Sequence, residues 1–321
     1  MSEEKIHDLV CVGAGPAALS AAIYTTREDI ETVLYEKAVP GGLISVTDWV
    51  DNYPGFPDGL DGLALGENMR KQAERFGAKI ELGEVTGIKR EGNVIKLATT
   101  DGEVSAKTVL IATGSGYKHI GVPGEEEYYA RGVHYCATCD GAFYRDKRLV
   151  VVGGGNSAVQ EAMFLTKFAS HIDLLVRSEF RASDVLVKEL EEKHKDKITV
   201  HKNTTTDEIV GAEKDGIKKV SKVVGTDKTT GKKVEFETDG VFVFVGLKPN
   251  TDFLQGTGVE LDEIGLVKSN EHLETAIPGV FVAGDCRSGA TMQIATAVGE
   301  GATAALRIRE YLDGRATTHE A

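Results

Sequence analysis

The sequence predicts an α/β protein of two similar halves, the second inserted into the first. Three observations carry that expectation. The strand and glycine turn LVCVGAGPAA around Gly13 return as LVVVGGGNSA around Gly153. Each half closes on an apolar strand, TVLIATG ending near Gly114 and VFVFVGLKP near Gly246. Two connector-like segments, GVPGEE around Pro123 and GLKPNTD around Pro249, bracket the second glycine turn. They place the inserted half at about 117–247 and leave 1–116 and 248–321 as a discontinuous outer half.

At 321 residues and 41% hydrophobic composition the chain can bury two cores. Lys and Arg total 37 against 50 Asp and Glu, a formal net charge of −13, which argues against nucleic acid or an anionic membrane as partner. The acidic excess is spread along the chain and reads as a solubility feature. No apolar run is long enough to span a bilayer. The start MSEEKIHD lacks the positive-then-apolar layout of a signal peptide, so the expected location is cytoplasmic. The last few residues are expected to fray.

Each glycine turn opens a helix, Pro16 to Thr26 in the first half and Asn156 to Phe168 in the second. A third helix is expected from Leu63 to Phe76, with Gly77 as its stop. Between opening and closing strands, NVIKLATTDGEVSA and KKVEFETDG read as hairpins or β-meanders.

Gly13, Gly15 and Ala18 form GxGxxA between a strand and a helix, where missing side chains let backbone amides approach a pyrophosphate at the helix N-terminus. Glu36, at the end of TVLYE, can accept hydrogen bonds from a ribose diol. A tight structural turn is the plainer alternative. The second copy has Gly153, Gly155 and Ala158, with Asn156 and Ser157 opening its helix. Where an acid would stand, it has Val176 and Arg177. A carboxylate would repel a 2′-phosphate, whereas Arg177 and Arg181 can clamp one, so this half is suited to NADP(H) rather than NAD(H). Solvated surface arginines are the alternative. Two such turns make the halves Rossmann-like, three-layer ββα dinucleotide-binding domains, and hydride chemistry between two dinucleotides usually puts a flavin in one. VFVAGDCRSG places Asp285 where it can bind a flavin ribitol or pyrophosphate neighbourhood, or serve as a turn aspartate.

Of four cysteines, Cys11 and Cys286 are isolated in apolar stretches, while Cys136 and Cys139 form CATCDG. The count argues against structural disulfides. A zinc site would want a second CxxC or CxxH pair, and there is none. A two-residue spacer lets two sulfurs form a small reducible ring, and a thiolate of lowered pKa enters exchange through a mixed disulfide. From the pair alone, inert thiols or half a metal site stay open. Asp140 can shuttle the proton of thiolate chemistry, or serve as a helix-cap or first-turn acid. His134 and Tyr135 adjoin the pair and receive no role; His134 reads as a surface or packing histidine.

In order along the chain, GAGPAA, EKAVPGG, DNYPGFP, IATG, CATCDG, GGGNSA and AGD resemble the low-molecular-weight thioredoxin reductases over essentially the full length. CATCDG placed just before the second glycine motif is the distinguishing feature. The resemblance implies an FAD-binding domain at 1–116 and 248–321 and an NAD(P)H-binding domain at 117–247 that carries the redox disulfide. It also implies a homodimer, and a rotation that lets nicotinamide and disulfide take turns at one flavin face. Electrons would pass from NADPH through FAD and Cys136/Cys139 to thioredoxin or a related dithiol protein. Cys139 would face the flavin, Cys136 would attack thioredoxin, and Asp140 would act as acid and base. Carried onto the FAD site are Gly13, Gly15, Pro16, Ala17, Glu36, Gly42, Leu43, Asn52, Val85, Ala112, Gly284, Asp285, Gln293 and Ile294.

Three departures qualify the resemblance. Leu43 stands where many members have the glutamine of GGQ, and Met292 where many have an arginine. The family's HRRxxFRA is here VRSEFRA, one residue shorter, so half the basic cluster is missing. That keeps open a donor other than NADPH, such as ferredoxin, or a dithiol oxidase. A flavin-binding redox sensor without turnover is the alternative from a different class.

Overall fold

The computed structural model describes residues 5–47, 49–214 and 217–314, so the tail expected to fray lies outside the described residues. They divide into two compact units, one running to Gly116 and resuming at Lys248, the other Tyr117–Leu247.

In the first unit five strands run parallel, in the order Lys79–Leu82, Thr32–Glu36, Ile6–Val12, Gly102–Ile111, Val280–Val282. The long strand Gly102–Ile111 serves two arrangements. Its beginning pairs antiparallel with Val94–Thr99, which pairs in turn with Val85–Glu91, while its end lies beside Val280–Val282. Successive side chains of a strand point to opposite faces. Leu9, Cys11, Leu34 and Leu110 accordingly pack with the helices Pro16–Thr26, Gly62–Arg75 and Ile294–Leu312, while Val10, Val12, Val109 and Ile111 pack with Val85, Ile88, Ile95 and Leu97 of the antiparallel strands. Burial on both faces is why these strands read as unbroken apolar runs. The layers are helices, parallel sheet and antiparallel strands.

The second unit repeats the plan. Five parallel strands run in the order Val133–His134, Gly240–Val243, Arg148–Val152, His171–Val176, Ile198–Lys202. Leu149, Val151, Ile172 and Leu174 pack with Ala158, Val159, Ala162 and Leu165 of the helix Asn156–Leu165. Val150, Val152, Leu175, Val241 and Val243 pack with Ile209, Val220 and Val223. The latter belong to an antiparallel sheet of Thr204–Lys214, Ile217–Asp227 and Lys232–Glu237.

Three helix ends differ from expectation, since Gly62–Arg75 is displaced by one residue at each end from the expected Leu63 to Phe76. The helix starting at Asn156 stops at Leu165 instead of Phe168, because Thr166 turns its hydroxyl back onto the Met163 carbonyl, 2.6 Å away, and the chain closes in tight turns. The helix Gly62–Arg75 begins one residue early. Asp61 caps it, its carboxylate accepting the Ala64 N–H at 2.8 Å. Gly77 follows at φ +100°. Among the described residues no helix is long and apolar enough to cross a membrane.

Candidate functional site

The first glycine turn is fixed by close backbone approach. Gly13 stands at φ +100°, its N–H bonds to the Tyr35 carbonyl at 2.7 Å, and a Cβ there would lie 2.6 Å from the Ala112 carbonyl oxygen. Ala112 in turn donates to Val12. Two residues on the constraint is gone: a Cβ on Gly15 would meet nothing within 4 Å. Gly15 caps the helix Pro16–Thr26, Pro16 supplies its first residue and Ala17 is buried. No side chain caps this helix and no acid stands in its first turn. Free amides with open space in front of them form an anion cradle.

Neighbouring residues close around this turn. Gly41 donates to the Ala14 carbonyl at 2.8 Å, and Gly42, at φ +60°, brings its Cβ position within 3.4 Å of the Gly15 Cα, with Leu43 next in the same short 3₁₀ turn. The Glu36 carboxylate accepts the N–H groups of Ala14 at 2.8 Å and Ala38 at 2.9 Å, and each oxygen keeps capacity for a ribose hydroxyl. Gly284, at φ +79°, lies against Ala17 and donates to Glu300 at 2.8 Å. Asp285 is half-buried, receives no hydrogen bond from any described residue, and has its carboxyl pushed up by burial and then by Glu300. Asn52 donates to Gln293 at 3.0 Å; Gln293 caps the helix that Ile294 opens, through reciprocal bonds with Thr296. Val85 is different in kind, its side chain buried in the cluster with Val12 and Ile111. Glu300 was not legible in the sequence: it sits inside a helix, and no local pattern marks it as the acceptor that shapes the AGD turn.

The second turn has the same construction. A Cβ on Gly153, at φ +148°, would lie 2.3 Å from the Phe244 carbonyl oxygen, while Gly155 again faces open space at an uncapped helix start. Asn156 accepts the Ser183 N–H at 2.8 Å, and Ser157 is exposed beside it. The VRSEFRA segment bends back so that Arg181 and Ala182 both donate to the Gly154 carbonyl. Arg177 and Arg181 are exposed, and neither is ion-paired among the described residues. Glu179 lies between them in sequence, exposed and paired with Lys202 at 3.0 Å.

Cys136 and Cys139 are joined as a disulfide at the short helix Ala137–Asp140. Cys136 is half-buried and its sulfur accepts the Cys139 N–H at 3.1 Å; Cys139 is exposed. In the reduced form that N–H would stabilise a Cys136 thiolate. Gly141 lets the following turn pack close, since a Cβ there would meet Leu165 at 2.8 Å.

His134, expected as a surface or packing histidine, is of the packing kind, with its ring on Phe242. It is buried, and its ring makes two polar contacts: Nδ1 lies 2.9 Å from the Asp140 carboxylate and Nε2 lies 2.7 Å from the Tyr144 hydroxyl. Tyr135 donates to the buried Glu125 at 2.7 Å, which also accepts the Ile120 and Gly121 N–H groups. Cys11 and Cys286 are free, buried, and pushed up by that burial, which suits packing and not exchange.

Comparison with known proteins agrees with this construction. The pyridine nucleotide-disulphide oxidoreductase family matches residues 7–301. A thioredoxin reductase of Bacillus subtilis is 41% identical over 316 residues, covering 98% of this chain and 97% of the relative. One from Mycolicibacterium smegmatis is 39% identical, with 97% and 98% covered. Among solved structures, the Lactococcus lactis thioredoxin reductase superposes with a TM-score of 0.89 at 38% identity, covering 96% of this chain and 99% of that one. The T. acidophilum thioredoxin reductase gives 0.88 at 39%, with 98% and 100% covered. Two glycine turns with open helix starts, a disulfide just before the second in sequence, and likeness to these proteins along nearly the whole length have one reading: the chain belongs to the pyridine nucleotide-disulphide oxidoreductase family, among the low-molecular-weight thioredoxin reductases.

Proposed function

We propose that the protein is a thioredoxin-disulfide reductase, taking electrons from NADPH through FAD to the Cys136–Cys139 disulfide and on to thioredoxin or a related dithiol protein. The single observation that carries this is the Cys136–Cys139 disulfide, set just before the second glycine turn. It is joined by the full-length likeness to thioredoxin reductases.

The unit of 1–116 and 248–321 is the FAD-binding domain in this reading. Amides at Gly15 and after it would receive the pyrophosphate, Glu36 the ribose, and Asp285 would take hydrogen bonds from the ribitol region or the pyrophosphate neighbourhood, for which its unmet acceptors are available. Gly42, Leu43, Asn52, Val85, Ala112, Gln293 and Ile294 would line the rest. Bound FAD supplies two-electron transfer between a nicotinamide and a disulfide. The unit 117–247 is the NADPH domain: Gly153, Gly155, Asn156 and Ser157 would receive the diphosphate, and Arg177 and Arg181 the 2′-phosphate. Cys136 is the nucleophile toward thioredoxin, helped by the Cys139 N–H; Cys139 is the sulfur on the flavin side; Asp140 holds and returns the proton.

The molecule is read as a homodimer on the same resemblance, with the cytoplasm as its expected location. A second reading of the donor rests on a specific observation, the shortened arginine segment VRSEFRA. A reduced ferredoxin could then replace the nicotinamide, or oxygen could accept electrons from dithiols. Anaerobic mixing of FAD-loaded protein with NADPH, NADH or reduced ferredoxin separates these. NADPH is expected to bleach the flavin faster than NADH, with weak apparent affinity, and Arg177→Ala to erase most of the difference; a charge-assisted hydrogen bond of ~1.5 to 3 kcal/mol corresponds to roughly tenfold or more. Bleaching by ferredoxin alone overturns the NADPH assignment.

A further inference from the structure

We propose that His134 is the positioning residue for Asp140, holding its carboxylate in one orientation for proton transfer at the Cys136–Cys139 pair. The inference rests on the role given to Asp140 above.

His134 is pinned on three sides. Its ring stacks on Phe242 with centroids 5.2 Å apart, Tyr144 meets its edge, and both ring nitrogens are engaged. The titratable groups facing it are Asp140 on the short helix and Tyr144 on the turn that follows, and Asp239 acts on Tyr144 from a distance. Burial first, and then Asp140 and Asp239, push the Tyr144 hydroxyl up to about 12. Tyr144 therefore keeps its proton at neutral pH, and its hydroxyl meets Nε2 at 2.7 Å. A carboxylate oxygen 2.9 Å from Nδ1 is an acceptor, so Nδ1 is the nitrogen that donates to Asp140 Oδ2. Oδ2 is occupied by an N–H donor, and Oδ1 is the oxygen left to take a proton.

That orientation has a use when a mixed disulfide is resolved. Cys139 gives up its thiol proton, its sulfur bonds to that of Cys136, and the bond between Cys136 and the partner's sulfur breaks. The partner's sulfur leaves with the electron pair and must be protonated. Asp140 can hold the Cys139 proton between the two events only if its carboxylate keeps one geometry, since proton transfer is sensitive to angle and distance.

The test uses the FAD-loaded full chain and a thioredoxin substrate, with kcat, KM and the pH profile read for His134→Phe, His134→Gln, Tyr144→Phe, Asp140→Asn and the doubles with Asp140→Asn. His134→Phe is expected to lower kcat about tenfold, to leave KM within about twofold, and to change the pH profile as Asp140→Asn does. His134→Gln, which restores an N–H donor, should recover most of the rate. Residues that act through one another are non-additive, so His134→Phe should cost nothing further once Asp140 is Asn. Should His134→Phe fail to fold, Tyr144→Phe carries the same test with about a threefold expected loss, because it removes the hydroxyl that holds Nε2 and loosens the ring that orients Asp140. Losses that multiply with Asp140→Asn, or a pH profile that superimposes on the wild type, overturn the inference and leave the proposed function standing. A wild-type protein that fails to reduce any dithiol acceptor overturns both.

Discussion

Gly13 and Gly15 are two residues apart in one motif, and the structure gives them separate tasks. A side chain at Gly13 collides with Ala112 and must also adopt φ +100°, so Gly13→Ala is expected to destabilise the fold by about 1 to 3 kcal/mol. Gly15 has a backbone any residue can adopt and open space ahead of it. Gly15→Val should therefore melt close to the flavin-free wild type and yet purify without yellow colour. Thermal unfolding read beside flavin absorbance separates the two; flavin retained in full by Gly15→Val would remove the pyrophosphate from this turn. The cysteines offer a second contrast, because their exposures and hydrogen bonds point in opposite directions. Cys139 is the more exposed residue, whereas the Cys136 sulfur has the N–H that favours a thiolate. If Cys136 is the nucleophile, Cys139→Ser should trap a mixed disulfide with thioredoxin and Cys136→Ser should not, as read by non-reducing gel and mass; the reverse pattern exchanges their roles. The glycines, Glu36 and the cysteine pair were legible because each needs a residue type at a fixed spacing within one segment. His134 was not, since its meaning lies in Tyr144, ten residues on, and in a ring stack with Phe242 that no local pattern announces.

At the scale of elements, the first helix is held in place by a crossing that leaves no room for side chains. Helix Pro16–Thr26 meets helix Ile294–Leu312 through alanines, and a Cβ on Gly301 would lie 2.1 Å from the Ala17 carbonyl oxygen. Ser20 adds a hydrogen bond to the Val298 carbonyl at 2.9 Å. Gly301→Leu must push the helices apart. An overpacking loss of about 1 to 3 kcal/mol is expected, together with weakened flavin binding, because the displaced helix carries the cradle. Unchanged melting and full flavin content would show that the crossing is slack. In the antiparallel sheet of the second unit, Asp207 accepts from Lys233, then Thr226 and Thr205, and these hold its carboxyl down to about 2. A depressed folded pKa gives stability that is present above the ordinary value of 3.8 and lost as pH falls toward about 2. Asp207→Asn should flatten the fall in stability across that window, as acid unfolding would show. The glycine turn and Pro16 announced where the first helix starts; the later end of the helix at Asn156 was misread because Thr166 looks like an ordinary helical residue until its hydroxyl turns back.

For the molecule as a whole, the sequence revealed the repeat because both copies obey the same physics, a strand buried on two faces feeding a glycine turn and a helix. What it left open was the electron donor, because VRSEFRA keeps only Arg177 and Arg181; electron transfer to another protein is supported by a disulfide in one unit and an anion cradle in each. The measurement that tests this most directly is anaerobic reduction of excess thioredoxin by a small amount of FAD-loaded protein and NADPH, with thioredoxin thiols counted over time. The account predicts many disulfides reduced per protein molecule, and none with Cys136→Ser or Cys139→Ser. It is contradicted if the flavin bleaches and the Cys136–Cys139 disulfide opens while thioredoxin stays oxidised.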